Sequence, residues 1–210
     1  MRVRHGLAGA ELLGYAEGLR SVYAEAFGQP PWNEDPAQAD RYLERLADEA
    51  GYTGFTGAVA LEGAVALEGT AGLGPGPRGR EPRVLGFASA WPTGYPLPDA
   101  RSYPLVTAAL GARRTEEWLG GALQVDELAV RPSAHGRGVG RALLAAVTGG
   151  APDGRCWLLT SPLAAAAVRF YRRAGWHQVT HPGEGGPGPV LFLGPGHPAA
   201  PRGAERLDLA

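Results

Sequence analysis

The sequence predicts a single α/β domain in which a mixed central β-sheet is flanked by helices. Three observations carry that prediction. Helix-spaced apolar residues alternate along the chain with short, dense apolar runs of strand character. The stretch from Leu123 to Thr160 reads as strand, glycine-rich loop, helix and strand, which calls for a parallel pair joined by a right-handed crossover. The 210 residues suit one core, and at this size roughly 70% of the unfolded surface can be buried without staples.

The elements follow in order. From Glu11 to Phe27, Leu12, Leu13, Tyr15, Ala16, Leu19, Val22, Tyr23, Ala26 and Phe27 lie near a helical period, and Gly28-Gln29-Pro30-Pro31 stops the helix. Trp32 follows in a loop, either packed on the first helices or lining a substrate mouth. Asp35-Pro36 opens a second helix that runs to about Ala50 with Tyr42, Leu43, Leu46 and Ala47 inward. Thr56–Glu62 and Val84–Trp91 read as strands, with Gly63 to Pro82 a Gly/Pro-rich flexible connection between them. Pro92 to Pro104 is turn-rich and Leu105 to Gly120 partly helical. This segment reads equally as a pocket wall or a solvated cover.

Leu123–Val130 is a strand buried on both faces, ended by Arg131-Pro132. A helix begins at the glycine loop and ends at Gly149-Gly150. The run from Arg155 to Thr160 is the next strand. Leu163 to Ala174 is a helix with Leu163, Ala166, Ala167, Phe170 and Ala174 on its inner face, capped by Gly175. Trp176 starts a further strand, and Pro189–Leu193 is the last. The domain is expected to span residues 1–193, with 194–210 a disordered tail.

Composition excludes several classes. A net charge of −1 argues against a general nucleic-acid binder. No apolar run approaches a membrane span, and the N-terminus has no signal-peptide core. Cys156, the single cysteine, rules out an internal disulfide and suits a reducing cytoplasm, most simply as a buried core thiol. His5, His135, His177, His181 and His197 are scattered, so no metal site is expected.

The glycine-rich loop is an anion site in outline. Glycines at 136, 138 and 140 leave no Cβ between backbone and ligand, and a helix N-terminus offers free N–H groups and a positive dipole end. Arg137 and Arg141 add charge. A P-loop would need Gly-Lys-Ser/Thr, but the sequence contains no lysine. The dinucleotide pattern G-x-G-x-x-G fails in both registers, since Arg141 or Leu143 falls at the last glycine.

A third pattern fits. His135-Gly136-Arg137-Gly138-Val139-Gly140 resembles the Q/R-x-x-G-x-G/A pyrophosphate loop of the GCN5-related N-acetyltransferase (GNAT) superfamily, with His135 where that family has Gln or Arg. Ala167-x-x-Phe170-Tyr171-Arg172-Arg173-Ala174-Gly175-Trp176 resembles a second GNAT signature, at similar spacing from the first. A pantetheine-contacting Asn of the family is here Ala164. The resemblance implies a GNAT-like fold and an acetyl-CoA-dependent N-acetyltransferase. Acetyl-CoA would be held by Leu128, Ala129, Val130, His135, Gly136, Arg137, Gly138, Val139, Gly140 and Arg141. The acceptor would be a small-molecule or peptide amine, with no nucleic acid and no membrane involved. The oligomeric state stays open, a homodimer included. The alternative is a CoA-binding sensor or docking module of the same fold without turnover.

Such a transfer poses two proton problems. The departing thiolate needs a proton, and Tyr171, protonated at neutral pH, can give it; the simpler role is half of an aromatic pair with Phe170. The acceptor amine must lose one: at a pKa of about 10.4, roughly one amine in a thousand is neutral at pH 7. Asp126 and Glu127 are the candidate relays, or else a charge pair at a strand end. A regular strand points them to opposite faces, so only one reaches a pocket unless a bulge intervenes, and Glu127 is preferred.

Overall fold

The structure is a computed structural model that describes residues 1–62, 82–182 and 188–200. Most of the expected Gly63–Pro82 connection therefore lies outside the described residues, as do residues 201–210.

Seven strands form one sheet in the order β1-β2-β3-β4-β5-β7-β6. They are β1 (Arg2–Leu7), β2 (Thr56–Glu62), β3 (Arg83–Pro92), β4 (Leu123–Val130), β5 (Cys156–Thr160), β6 (His177–Gln178) and β7 (Val190–Leu193). Among these strands only β4 and β5 pair in parallel. The helices are α1 (Gly9–Leu13), α2 (Ala16–Phe27), α3 (Ala37–Glu49), α4 (Tyr103–Leu110), α5 (Ala112–Arg114), α6 (Val139–Thr148) and α7 (Ala165–Arg173), with a π-helical turn at Thr115–Leu119.

Side chains alternate across the sheet with the strand period of two. Val59, Leu61 and Phe87 pack under α1–α3 with Leu12, Leu19, Tyr42 and Leu46. Ala58, Ala60 and Leu85 face the other way, onto α6 with Val139, Leu143, Leu144 and Val147. A third cluster joins Tyr103, Val106, Leu110 and Leu119 to Trp157 and Leu191. Arg131 ties the end of β4 to the helical layer. Its Nε donates to the Val84 carbonyl at 2.6 Å, its Nη2 to Ser21 Oγ at 2.9 Å, and its Nη1 to Glu25.

Four expectations are corrected. The single helix from Glu11 to Phe27 is two, broken at Gly14-Tyr15, with α1 docked through Gly9 on Ala50 and through Leu12 on Gly57. A strand precedes it: β1 is an edge strand, mostly exposed, so its sequence shows no apolar alternation. The inner face of α7 is only partly as expected: Ala167, Phe170 and Ala174 pack against the core, and Tyr171 joins them. Leu163 is 63% exposed and Tyr171 is buried with Ala164, because the aromatic core formed by Trp176 and Phe192 takes Tyr171. Finally, residues 194–200 are a packed strap, not a free tail. Gly194 N–H donates to the Cys156 carbonyl at 2.8 Å, and His197, 4% exposed, bonds through Nε2 to the Trp118 carbonyl at 2.8 Å.

The packing predicts a stability contrast. Leu143 on α6 is fully buried, so Leu143→Ala should cost about 2–5 kcal/mol, measured by urea unfolding. Leu163→Ala, at an exposed position, should stay within about 0.5 kcal/mol of the parent protein.

Candidate active site

The site begins where β4 and β5 part. Their parallel pairing covers Leu123–Cys156, Gln124–Trp157 and Val125–Leu158. Beyond Val125, β4 continues paired only to β3, while Leu159 and Thr160 pair only to β7. Leu128, Ala129 and Val130 therefore have one edge free of a strand partner. Buried backbone groups need partners, so such an edge suits a ligand carrying amides.

The glycine loop lies at the far end of this opening. Gly136 and Gly138 have φ of 73° and 78°, the left-handed region that favours glycine. A Cβ at either would meet nothing within 4 Å, so the space before the loop is open. Gly138 is the N-cap of α6, no side chain caps that end, and its first turn holds no acidic residue. Val139 opens the helix with its side chain in the core. Gly140 serves packing: a Cβ there would lie 3.4 Å from Phe170 Cζ.

The neighbouring cations are already engaged. Arg137 Nη2 donates to Glu62 at 2.8 Å and Arg141 Nη2 to the Arg173 carbonyl at 2.9 Å. His135 Nε2 bonds the Val130 carbonyl at 3.0 Å, so the ring turns back to β4.

On the opposite edge, β4 carries a bulge. Ser89 faces Glu127 and Ala90 faces Val125, which leaves Asp126 as the extra residue. The alternation that would separate adjacent residues is broken there. Asp126 and Glu127 both line one cleft of about 540 Å³ and both lie 3.4 Å from Arg45 Nη2. Tyr23, Phe27, Trp32 and Glu34 form one wall. Arg101, Ser102, Tyr103 and Leu105 form the other, with the Tyr103 hydroxyl donating to Gln124 Oε1 at 3.0 Å. Trp32 packs edge-on to Phe27, with centroids 5.5 Å apart, and also forms part of the cleft wall. The segment before β4 is a pocket wall in its first part, and Thr115–Leu119 packs beneath it.

The Asp126 side chain is fully buried and anchored by Arg101 Nη1 at 2.5 Å. Glu49, on α3, sits 3.3 Å from Arg45 Nε and 3.6 Å from Arg101 Nη1. Burial and the Asp126 charge push Glu127 up to about 8 against the pull of Arg45 and Arg101. The same causes push Glu49 up to about 7.

Tyr171 lies outside the cleft, in the core beneath α7, 8% exposed, with ring contacts to Phe170 and Phe192. Burial first, and the Glu127 charge second, hold its phenol well above its ordinary range. The splayed strands thus bring Tyr171 and Glu127 into electrostatic reach from the two sides of the sheet. Arg45, Arg101, Glu34 and Glu49 were not legible as site residues. Their only sequence signal is the i,i+4 spacing of Arg45 and Glu49. Among the described residues no cluster of three metal-ligating side chains occurs, and no helix is long and apolar enough to cross a membrane.

Comparison with known proteins agrees with this architecture. Residues 103–178, from α4 to β6, match the model of the acetyltransferase (GNAT) domain. No curated protein matches the chain significantly. Among solved structures, the chain resembles an acetyltransferase from Thermus thermophilus at 15% identity, over 92% of this chain and 96% of that one, with a TM-score of 0.54. It also resembles a histone acetyltransferase HPA2 and related acetyltransferase from Corynebacterium glutamicum, at 18% identity over 95% and 97% of the two chains, TM-score 0.54. A GNAT-family protein from Desulfovibrio desulfuricans aligns at 20% identity over 92% and 97%, TM-score 0.50. At these identities the structures establish the fold, and the domain match and the fold together bear out the resemblance to the GNAT superfamily.

The raised carboxyl predicts a pH effect on stability. Folded Glu127 holds a proton up to about pH 8, whereas the unfolded chain loses it near 4.5. The stability this proton contributes is complete below the lower value and fades as pH rises to the upper one. Glu127→Gln should flatten that decline in urea midpoints measured across the window, leaving only the part due to Glu49. An unchanged slope would mean that Glu127 titrates normally.

Proposed function

We propose that the protein is an acetyl-CoA-dependent N-acetyltransferase acting on a primary amine. The observation that carries this reading is the splay after Val125. It sets an open helix N-terminus on one side and a buried carboxylate pair in a cleft on the other. The cradle fits a pyrophosphate. Gly136 and Gly138 leave it unobstructed, and the uncapped N–H groups of α6 supply donors and the favourable dipole end. Val139 and Gly140 continue that first turn, with Arg137 and Arg141 beside it. The unpaired edge from Leu128 to Val130 would meet the pantetheine amides, and His135 would compete for the Val130 carbonyl.

Bound acetyl-CoA supplies an activated acetyl thioester. The residues of the chain then divide the proton traffic. Glu127, aided by Asp126, accepts a proton from the acceptor amine as the C–N bond forms. Tyr171 gives its proton to the sulfur as the C–S bond breaks. The Arg45–Arg101 network holds Asp126 beside Glu127, whose raised pKa suits a base working near neutral pH. Tyr171 stays protonated throughout that range, although its raised pKa makes it a weaker acid than a free phenol.

Two outcomes are expected. Acetyl-CoA at a hundred times its Kd should add about 2.7 kcal/mol of stability. Gly138→Asp should abolish that shift by placing a negative charge before the cradle; a persistent shift would locate the cofactor elsewhere. Tyr171→Phe should keep the acetyl-CoA shift while kcat falls about 10²- to 10⁴-fold. In the same assay, wild-type kcat/KM should rise with a midpoint near pH 8. Glu127→Gln should displace that rise toward the free amine, at about 10.4. Full turnover in Tyr171→Phe would remove the acid assignment. Binding without any turnover across an amine panel would favour a CoA-binding module instead.

A further inference from the structure

We propose that the acceptor carries a second cationic group besides the amine that reacts, and that Glu34 receives this group within the aromatic wall of the cleft. The inference rests on the N-acetyltransferase reading and names the acceptor class for its cleft.

The charge balance points to it. Four carboxylates, Glu34, Glu49, Asp126 and Glu127, meet two guanidiniums, Arg45 and Arg101, so carboxylates outnumber cations, and the raised proton affinity of Glu127 and Glu49 takes up part of the excess. Both guanidiniums are committed to the inner three. Arg101 reaches Asp126 and Glu49 at 2.5 and 3.6 Å, and Arg45 reaches Asp126, Glu127 and Glu49 at 3.4, 3.4 and 3.3 Å. Among the described residues no cation pairs with Glu34. Its Oε2 is buried without a hydrogen-bond partner although the residue lines the open cleft.

Glu34 is also held in place. Its N–H donates to the Phe27 carbonyl at 2.9 Å, while the N–H groups of Trp32 and Asn33 share the Gln29 carbonyl at 3.1 Å. That tight turn sets the carboxylate beside three aromatic rings, Tyr23 against Phe27 at 4.6 Å and Phe27 against Trp32 at 5.5 Å. A carboxylate next to aromatic faces recognises an ammonium or guanidinium ion through charge-assisted hydrogen bonds and cation–π attraction. Tyr23 stands between the two carboxylates: after burial, its phenol is raised by the Glu127 charge and by its bond to Glu34. Glu34 in turn is one of the charges that raise Glu127. A cation on Glu34 therefore favours the ionised base at Glu127, so filling the distal position prepares the reacting one. One molecule with two separated positive groups would set one of them on Glu34 and bring the reacting amine to Glu127.

The test compares α,ω-diamines with n-alkylamines of equal length, plus a dipeptide with a free N-terminus and an arginine side chain. The better of the two dicationic arms should exceed the monoamine in kcat/KM by about 10- to 100-fold, as expected for a hydrogen bond between charged groups. A stronger dipeptide arm assigns the second charge to a peptide, a stronger diamine arm to a small molecule. Glu34→Gln should collapse the ratio toward one while keeping the melting shift with acetyl-CoA. Equal use of monoamine and dications by the wild type, or a ratio that survives Glu34→Gln, overturns the proposal. If no amine is acetylated, the enzymatic reading fails by itself. Calorimetric titration of diamine and dipeptide into the CoA-saturated protein then decides the inference. Binding that Glu34→Gln abolishes upholds it, and no binding, or binding indifferent to Glu34, overturns it.

Discussion

A sheet stays closed only while neighbouring strands can exchange backbone hydrogen bonds, and in this protein β4 and β5 do so for three residue pairs. At Asp126 the other edge of β4 takes in an extra residue, which bends the strand and increases its local twist. The bulge and the parting of the strands fall at the same point in the chain. One local irregularity thus opens a gap in the sheet, frees the backbone of Leu128–Val130, and turns two adjacent carboxylates into one cleft. The crossover through α6 then delivers its N-terminus to that gap. The unpaired edge, the uncapped helix start and the shared carboxylate cleft are in this sense consequences of a single backbone constraint.

The charges gathered there are costly. Burying a carboxylate is tolerable only with a partner, and removing one member of a buried pair typically costs about 3–5 kcal/mol. Arg45 and Arg101 bridge three carboxylates from two layers, α3 and the segment before α4, and so tie the position of both cleft walls to β4. Two guanidiniums do not neutralise the cluster, and the remainder appears as raised proton affinity at Glu127 and Glu49. A site that stores its imbalance as proton affinity holds carboxyls that titrate near neutral pH, at the expense of stability.

Legibility in the sequence tracked local determinism. β2 and β4 run from the residues their apolar content marks, Thr56–Glu62 and Leu123–Val130, because a strand buried on both faces has little choice of residue. The glycine loop was legible because positive φ at Gly136 and Gly138 selects glycine. β1 was not, since an edge strand of Arg, His and Gly holds its place by pairing with β2 rather than by burial. The inner face of α7 was legible in part: periodicity placed Ala167, Phe170 and Ala174 against the core, while the burial of Tyr171 rests on its contacts with Trp176 and Phe192. The strap at 194–200 looks like a linker by composition, yet backbone hydrogen bonds to Cys156 and the buried His197 fold it down.

By itself the sequence determined the α/β class, the crossover around α6 and the glycine loop at its start, and it singled out Tyr171, Glu127 and Asp126 as candidates. Those features depend on neighbours in the chain, where steric and hydrogen-bonding rules act over a few residues. The tertiary structure alone decided that both carboxylates share a cleft, that Arg45 and Arg101 hold them, and that Glu34 lines the same space with no cation among the described residues on it. Asp126 lies 81 positions along the chain from Arg45 and 25 from Arg101. No local pattern encodes such meetings, because they arise only when the bulge has turned β4 and the helices have closed over it.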